Sequence, residues 1–321
     1  MKLSESIILC PGQGAQRAGM GAAWMRESAI FVQTMQEADD ALASDLGFAL
    51  SDACASGPED RINRTDVAQP ALFAIGVACC RALAGSATDN DAVLPLAAAG
   101  LSLGEYTALH LVGAFSFVDG LKLVATRGRL MQEAADGSDG SMVALIGADE
   151  PSAQRICDEV AKGDEVLVPA NFNAPEQIVL SGSASACARC VEAALAMGLR
   201  AAPLSVAGAF HSPLMALAAD QLSAALDRVE IMPPRVPVLS NVTGQPHSDE
   251  GDDGAIVNSI KCRLAQQLTS PVRWDKCCQW LASNVQGAFH ELAPSKVLAG
   301  LMRRIDRTMR VKTHDEPENT K

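Results

Sequence analysis

Gly100-Leu101-Ser102-Leu103-Gly104 is the stretch that decides how this chain is read. The apolar run Val93-Leu94-Pro95-Leu96-Ala97-Ala98-Ala99 leads into it, and Glu105-Tyr106-Thr107-Ala108-Leu109, without Gly or Pro, leaves it as a helix start. A buried strand, a serine between two glycines and then a helix is the pattern of a nucleophile elbow. A strained turn of this kind leaves no room for Cβ atoms on either side of the serine. The helix N-terminus also aims free backbone N–H groups at whatever the serine attacks, which favours a developing oxyanion. Five residues taken alone also fit an ordinary strand-to-helix turn in a Gly/Ala-rich chain.

Composition narrows the setting. The 321 residues are 48% hydrophobic and 20% charged, as in an ordinary globular protein, and suit one large domain or two unequal ones. Aromatics are only 4%, so Ala, Leu and Val must build the core. A net charge of −12 argues against a nucleic-acid partner, which needs clustered Lys and Arg. No apolar run approaches the ~18–20 residues of a bilayer span, and no membrane association is expected. The start, Met1-Lys2-Leu3-Ser4-Glu5-Ser6, runs straight into a short strand, and the expectation is a cytoplasmic protein. Of ten cysteines only Cys187 and Cys190 form a C-x-x-C, with no second pair at zinc spacing, so a metal site is not expected. Most of the thiols read as small buried hydrophobes.

Ser6 to Cys10 reads as a first strand, broken by Pro11-Gly12-Gln13-Gly14, and residues 17–85 read as mainly helical. The elbow strand and helix follow, then a helix from about Ser116 to Ala135 and the loop Asp136-Gly137-Ser138-Asp139-Gly140. Beyond it, strands at 142–146, 166–169, 177–180 and 201–204 alternate with helices at 152–161 and 185–197. Strand, helix, strand, strand, helix, strand is the order of a ferredoxin-like unit. The domain reading is therefore a main α/β domain over 1–137 and 206–312 with a subdomain at 138–205 inserted. The acidic stretch 247–254 reads as a solvated surface loop, and the polar tail 313–321 as disordered.

A serine nucleophile needs a base. Of the five histidines, His314 falls in the tail and His247 at the acidic loop, both read as solvated. His110 is carried away along the elbow helix and His290 reads as a strand residue. His211 remains, after the small, non-periodic Ser205-Val206-Ala207-Gly208-Ala209-Phe210, a segment able to cross an active-site floor. A structural histidine is the competing reading there. Arg127 shares a helix face with Leu123 and Leu130 and has no evident local acid, whereas Arg129 has Glu133 four residues on. A guanidinium on an apolar stripe is costly unless an anion pairs with it, so Arg127 is either a snorkelling arginine or a bidentate clamp for a substrate carboxylate. The densest basic run is Arg303, Arg304, Arg307, Arg310 and Lys312, with Lys296 near; it either solvates a terminal helix or meets an acidic partner.

Taken together, the segments PGQGAQ (11–16), GLSLGEYTA (100–108), RGRLMQEA (127–134), NFNAPEQIVLSG (171–182), GAFHSPLM (208–215) and QQLTSPVRW (266–274) resemble the malonyl-CoA:acyl carrier protein transacylase family from about residue 7 to 310. The resemblance implies an α/β-hydrolase-like core with a ferredoxin-like insert. It implies transfer of malonyl from malonyl-CoA to the phosphopantetheine thiol of acyl carrier protein, through a malonyl-serine intermediate, for fatty acid biosynthesis. Carried over residue by residue, Ser102 would be the nucleophile, His211 the base and Arg127 the ligand of the malonyl carboxylate. The N–H groups of Gln13 and Leu103 would form the oxyanion hole, and the backbone carbonyl of Gln267 would orient the histidine. No cofactor or metal is implied, and the expected state is a monomer. Leu101 replaces the histidine that many members carry before the nucleophile, and Ala293-Pro294-Ser295-Lys296 replaces a glycine-rich turn. Phe210 matches a pattern associated with malonyl selection. An acyltransferase of a polyketide or polyunsaturated-lipid synthase shares every residue named, and a serine thioesterase or esterase would differ in product.

Overall fold

The computed structural model describes residues 2–86, 93–247 and 252–318. Four parallel strands form the central sheet: β1 (Ser6–Cys10), β2 (Ala97–Gly100), β7 (Ala288–Glu291) and β8 (Val311–Thr313), in the order β2-β1-β7-β8. Every residue of β1 and β2 is buried, because helices cover both faces of a parallel sheet. That is why these strands read as apolar runs without alternation.

Alternation reappears in what each side chain touches. Ile8, Cys10 and Ala98 face one core, packed by helices α1 (Ala22–Glu27), α2 (Ala29–Leu46), α3 (Leu50–Ser56), α4 (Glu59–Asn63), α5 (Thr65–Ala84), α6 (Gly104–Leu111) and α7 (Phe117–Asp136). Ile7, Leu9, Ala97 and Ala99 face the other, against Trp274, Leu281, Leu298 and Met302. Among the described residues, α5 alone is long and apolar enough to cross a membrane, although its sequence is no unbroken apolar run. Of its most apolar stretch, 83% is buried inside the fold, so its apolarity serves the core.

The second sheet is antiparallel: β3 (Gly140–Ile146), β4 (Leu167–Ala174), β5 (Gln177–Ser183) and β6 (Arg200–Pro203), in the order β4-β5-β3-β6. Helices α8 (Glu150–Val160) and α9 (Ala184–Ala196) pack on it around a separate apolar core. Cys157, Cys187 and Cys190 lie in that core, where burial pushes their thiols up to about 12, 11 and 11, so they stay protonated at neutral pH. The chain then returns through α10 (Ala216–Leu226), α11 (Asp253–Gln266), α12 (Trp274–Asn284) and α13 (Val297–Ile305). Val272, just before α12, exchanges backbone hydrogen bonds with Ala170 and Phe172 of β4 (2.8 and 2.9 Å) and so ties the two units together. Arg273 adds a two-pronged ion pair with Glu150 and lies over the Phe172 ring, 3.9 Å from its centre.

One sequence expectation fails here. The tail is not disordered from 313: Thr313 belongs to β8, and His314 is buried against His290, with 2.8 Å between ring nitrogens. A polar tail can order itself by adding an edge strand, since backbone pairing is indifferent to side-chain polarity. Residues 319–321, and the 248–251 part of the acidic stretch, lie outside the described residues.

Candidate active site

The elbow is tight for a measurable reason. A Cβ on Gly100 would lie 1.8 Å from the Gly104 carbonyl carbon, and one on Gly104 would lie 2.1 Å from the Cys10 oxygen. Ser102 between them holds φ at 52°, a left-handed conformation that costs an L-residue roughly 1–2 kcal/mol. Asn241 clamps the turn: its Oδ1 accepts from the Ser102 N–H at 2.6 Å, and its Nδ2 donates to the Gly100 carbonyl at 2.8 Å. With its own N–H engaged, Ser102 presents only the hydroxyl.

His211 is held in the same strained region, with φ 57°. Its Nδ1 faces the Gln267 carbonyl at 2.7 Å, and a carbonyl can only accept, so Nδ1 carries the proton. Nε2, 2.9 Å from the Ser102 Oγ, is then left with a lone pair to take the hydroxyl proton. Burial first, and the positive charge of Arg127 second, push the His211 pKa down to about 4 against the pull of the Gln267 carbonyl. The imidazole is neutral at physiological pH.

Arg127 reaches this point from α7 and is 1% exposed. It donates to Gln69 Oε1 at 2.6 Å, to Gln267 Oε1 at 2.9 Å and to the Ser102 Oγ at 3.1 Å, while the Tyr106 ring lies 5.3 Å from the guanidinium carbon. No carboxylate touches it, and its Nε has no partner among the described residues. Burial lowers its pKa from the ordinary value. Arg129, by contrast, makes the surface pair with Glu133 at 2.7 Å.

Ser102, His211, Arg127 and Gln267 thus meet in one buried cluster. Gln13 joins them along a cleft of about 360 Å³ between the two units, floored by Ser102 and His211 and walled by Met142, Asn173, Gln177, Val297 and Leu301. The backbone N–H groups of Gln13 and Leu103 have no hydrogen-bond partner among the described residues. Of the other histidines, His110 bonds the Phe115 carbonyl just past the end of α6, and His290 pairs with His314.

His247 departs from its expected solvation. It is buried and directs Nε2 at Glu105 Oε1, 2.6 Å away. Sequence reasoning also missed Gln69, Asn241 and Glu105. Gln69 was detectable as an isolated amide in the mostly apolar sequence of α5; Asn241 lies far along the chain and gives no local signal.

Residues 7–316 match the family described as the acyl transferase domain. The chain belongs to that family. An acyl transferase of Salmonella typhimurium, named malonyl CoA-acyl carrier protein transacylase, is 37% identical over 98% of this chain and 97% of its own length. The solved malonyl CoA-acyl carrier protein transacylase of Coxiella burnetii superposes with a TM-score of 0.88 at 35% identity, covering 98% of this chain and 95% of that one. A malonyl-transacylase solved with a type II polyketide acyl-carrier protein gives 0.89 at 36% identity, covering 98% and 97%. The acyl transferase fold, an α/β core with a small subdomain, is common to them. A serine, a neutral histidine and a buried cation in contact suit transfer of an acyl group that carries an anion.

Proposed function

We propose that this acyl transferase moves malonyl from malonyl-CoA to the phosphopantetheine thiol of an acyl carrier protein, supplying fatty acid biosynthesis. The observation that carries the reading is Arg127. A fully buried guanidinium within 3.1 Å of the nucleophile, with no carboxylate in contact among the described residues, is a receptor for an acyl group ending in a carboxylate.

His211 Nε2 takes the Ser102 proton as Oγ attacks the thioester carbonyl. The N–H groups of Gln13 and Leu103 receive the developing oxyanion. The C–S bond then breaks, and the CoA sulfur leaves with the proton from His211. In the second half, the carrier thiol gives its proton to His211, its sulfur attacks the malonyl-serine ester, and Ser102 regains the proton as the C–O bond breaks. The chemistry needs no dissociable cofactor, and a cytoplasmic monomer belongs to the same reading.

The cleft supports a pantetheine arm. The side-chain oxygens of Asn173 and Gln177 are buried without partners among the described residues, as acceptors for amide N–H groups would be. Helix α13 leads from the cleft, lined by Val297 and Leu301, to a second hollow of about 760 Å³ lined by Arg200, Arg303, Arg304, Arg307 and Arg310. Carrier proteins of this pathway are typically acidic, so these arginines supply a local attraction that the net charge of −12 does not.

Intact-mass measurement after mixing with malonyl-CoA tests the reading. One malonyl is expected on the enzyme, absent in Ser102→Ala, formed orders of magnitude more slowly in His211→Ala, and discharged onto added carrier protein. Release of free malonate with the carrier left unloaded would establish a thioesterase instead.

A further inference from the structure

Beneath the elbow lies a buried carboxylate that the reaction itself does not use. Glu105 occupies the first turn of α6, three residues past the nucleophile, and is fully buried. Its Oε1 accepts from His247 Nε2 at 2.6 Å. Its Oε2 accepts from the Gln267 side-chain amide at 2.7 Å and from the Asn241 backbone N–H at 3.0 Å. All three neighbours approach as donors, which suits an ionised carboxylate.

The same geometry sets the form of His247. Its Nδ1 is buried without a partner among the described residues, so an imidazolium would leave a second N–H unsatisfied. A neutral ring with its proton on Nε2 leaves only a bare lone pair there. The negative charge on Glu105 is therefore kept rather than cancelled, and it faces the positive charge of Arg127 through a single amide. Gln267 donates Nε2 to Glu105 and accepts from Arg127 at Oε1, 2.9 Å away. A carboxylate can only accept and a guanidinium only donate, so the amide has one orientation.

Each of the partners of Glu105 holds part of the reacting cluster. Gln267 orients His211 with its backbone carbonyl and contacts the Ser102 carbonyl with Nε2, at 3.1 Å. Asn241 fixes the Ser102 N–H. His247 closes the loop that delivers Asn241: Leu239 bridges Pro246, and the His247 N–H donates to the Val238 carbonyl at 2.8 Å. We infer that Glu105 and His247 form a positioning pair for acyl transfer, fixing Gln267 and Asn241 and through them the base, the arginine and the nucleophile. The inference rests on the proposed malonyl transfer.

The test is single-turnover malonylation of the full-length enzyme, followed by quenched intact mass. His247→Gln retains an N–H donor for Glu105, whereas His247→Met fills similar space without one. At saturating malonyl-CoA, His247→Met is expected to acylate about tenfold or more slowly, and His247→Gln within roughly threefold of wild type. A role in core filling alone would order them the other way, so a folded His247→Met at the wild-type rate overturns the proposal. Histidine nitrogen NMR on the unaltered protein decides the matter whether or not a variant folds. His247 should carry its proton on Nε2 alone, and that signal should shift when Ser102 is acylated. A proton on Nδ1, or a signal indifferent to acylation, overturns the pair. Failure of the wild type to become acylated at all would instead sink the proposed function.

Discussion

Ser102 and His211 share an unusual property: both are non-glycine residues with φ near +55°, at 52° and 57°. Strain at two facing residues survives only where the surroundings over-determine it, and here Asn241 and Gln267 do so. The electrostatics of the pair give a pH prediction. With the pKa of His211 near 4, the base is free from about pH 5 upward, so kcat/KM for malonyl-CoA should be flat at neutral pH and fall through about 4. A bound carboxylate cancels part of the charge of Arg127, the second cause of that lowering, so the acid limb of kcat should lie at higher pH than that of kcat/KM. Coincident limbs would remove Arg127 from the electrostatics of the base. Arg127 itself is expected to set acyl choice. Arg127→Ala should slow malonyl transfer roughly a hundredfold or more and narrow the preference over acetyl-CoA, which leaves the wild-type guanidinium unpaired. An unchanged ratio of the two rates counts against the assignment, with Arg129→Ala as the surface control.

At the scale of elements, the strand–turn–helix unit is a packing solution as much as a catalytic one. Helix α6 can start directly against β1 only because Gly104 has no side chain: a methyl there would meet the Cys10 oxygen at 2.1 Å, and neither backbone can yield without breaking the sheet. Gly104→Ala should therefore cost about 3 kcal/mol or more in stability and abolish acylation together with it. Gly300 is the contrasting case, inside α13, where a Cβ would meet nothing within 4 Å among the described residues outside its own stretch of helix. Gly300→Ala should stabilise the protein by roughly 0.5–1 kcal/mol, because only backbone entropy changes. Chemical denaturation of both variants checks the pair of signs. The motif was legible in sequence because strand, turn and helix are contiguous. The buried Glu105 within it was not, since its partners Asn241, His247 and Gln267 lie more than a hundred residues on.

Over the whole molecule, charge is distributed so that one face opposes the sum. The chain carries −12, yet five arginines converge where α13 and the segment after it meet β6 of the subdomain. Charges within a Debye length of ~10 Å dominate contact with a partner, so this face can attract an acidic protein that the distant field repels. Charge reversal at Arg303 and Arg304 together should raise KM for the carrier protein, leave KM for malonyl-CoA nearly unchanged, and lose its effect as salt is added. A defect independent of salt would place the docking surface elsewhere.

The family resemblance supplied His211 as the candidate base; the sequence by itself determined the local units: the elbow, the apolar strands of a covered sheet, the strand and helix order of the subdomain, and Ser102 and Arg127 as a candidate serine and cation. Each rests on neighbouring residues or on the chemical cost of a residue type in its place, as with Arg127 on an apolar stripe. Only the tertiary structure decided what those groups face. It put Asn241 under Ser102, Gln69 against Arg127, and His247 and His314 inside the protein instead of in water. The physical reason is range: propensity and periodicity act over a few residues, whereas a buried polar atom is satisfied by whatever the packing of distant segments brings within 3 Å.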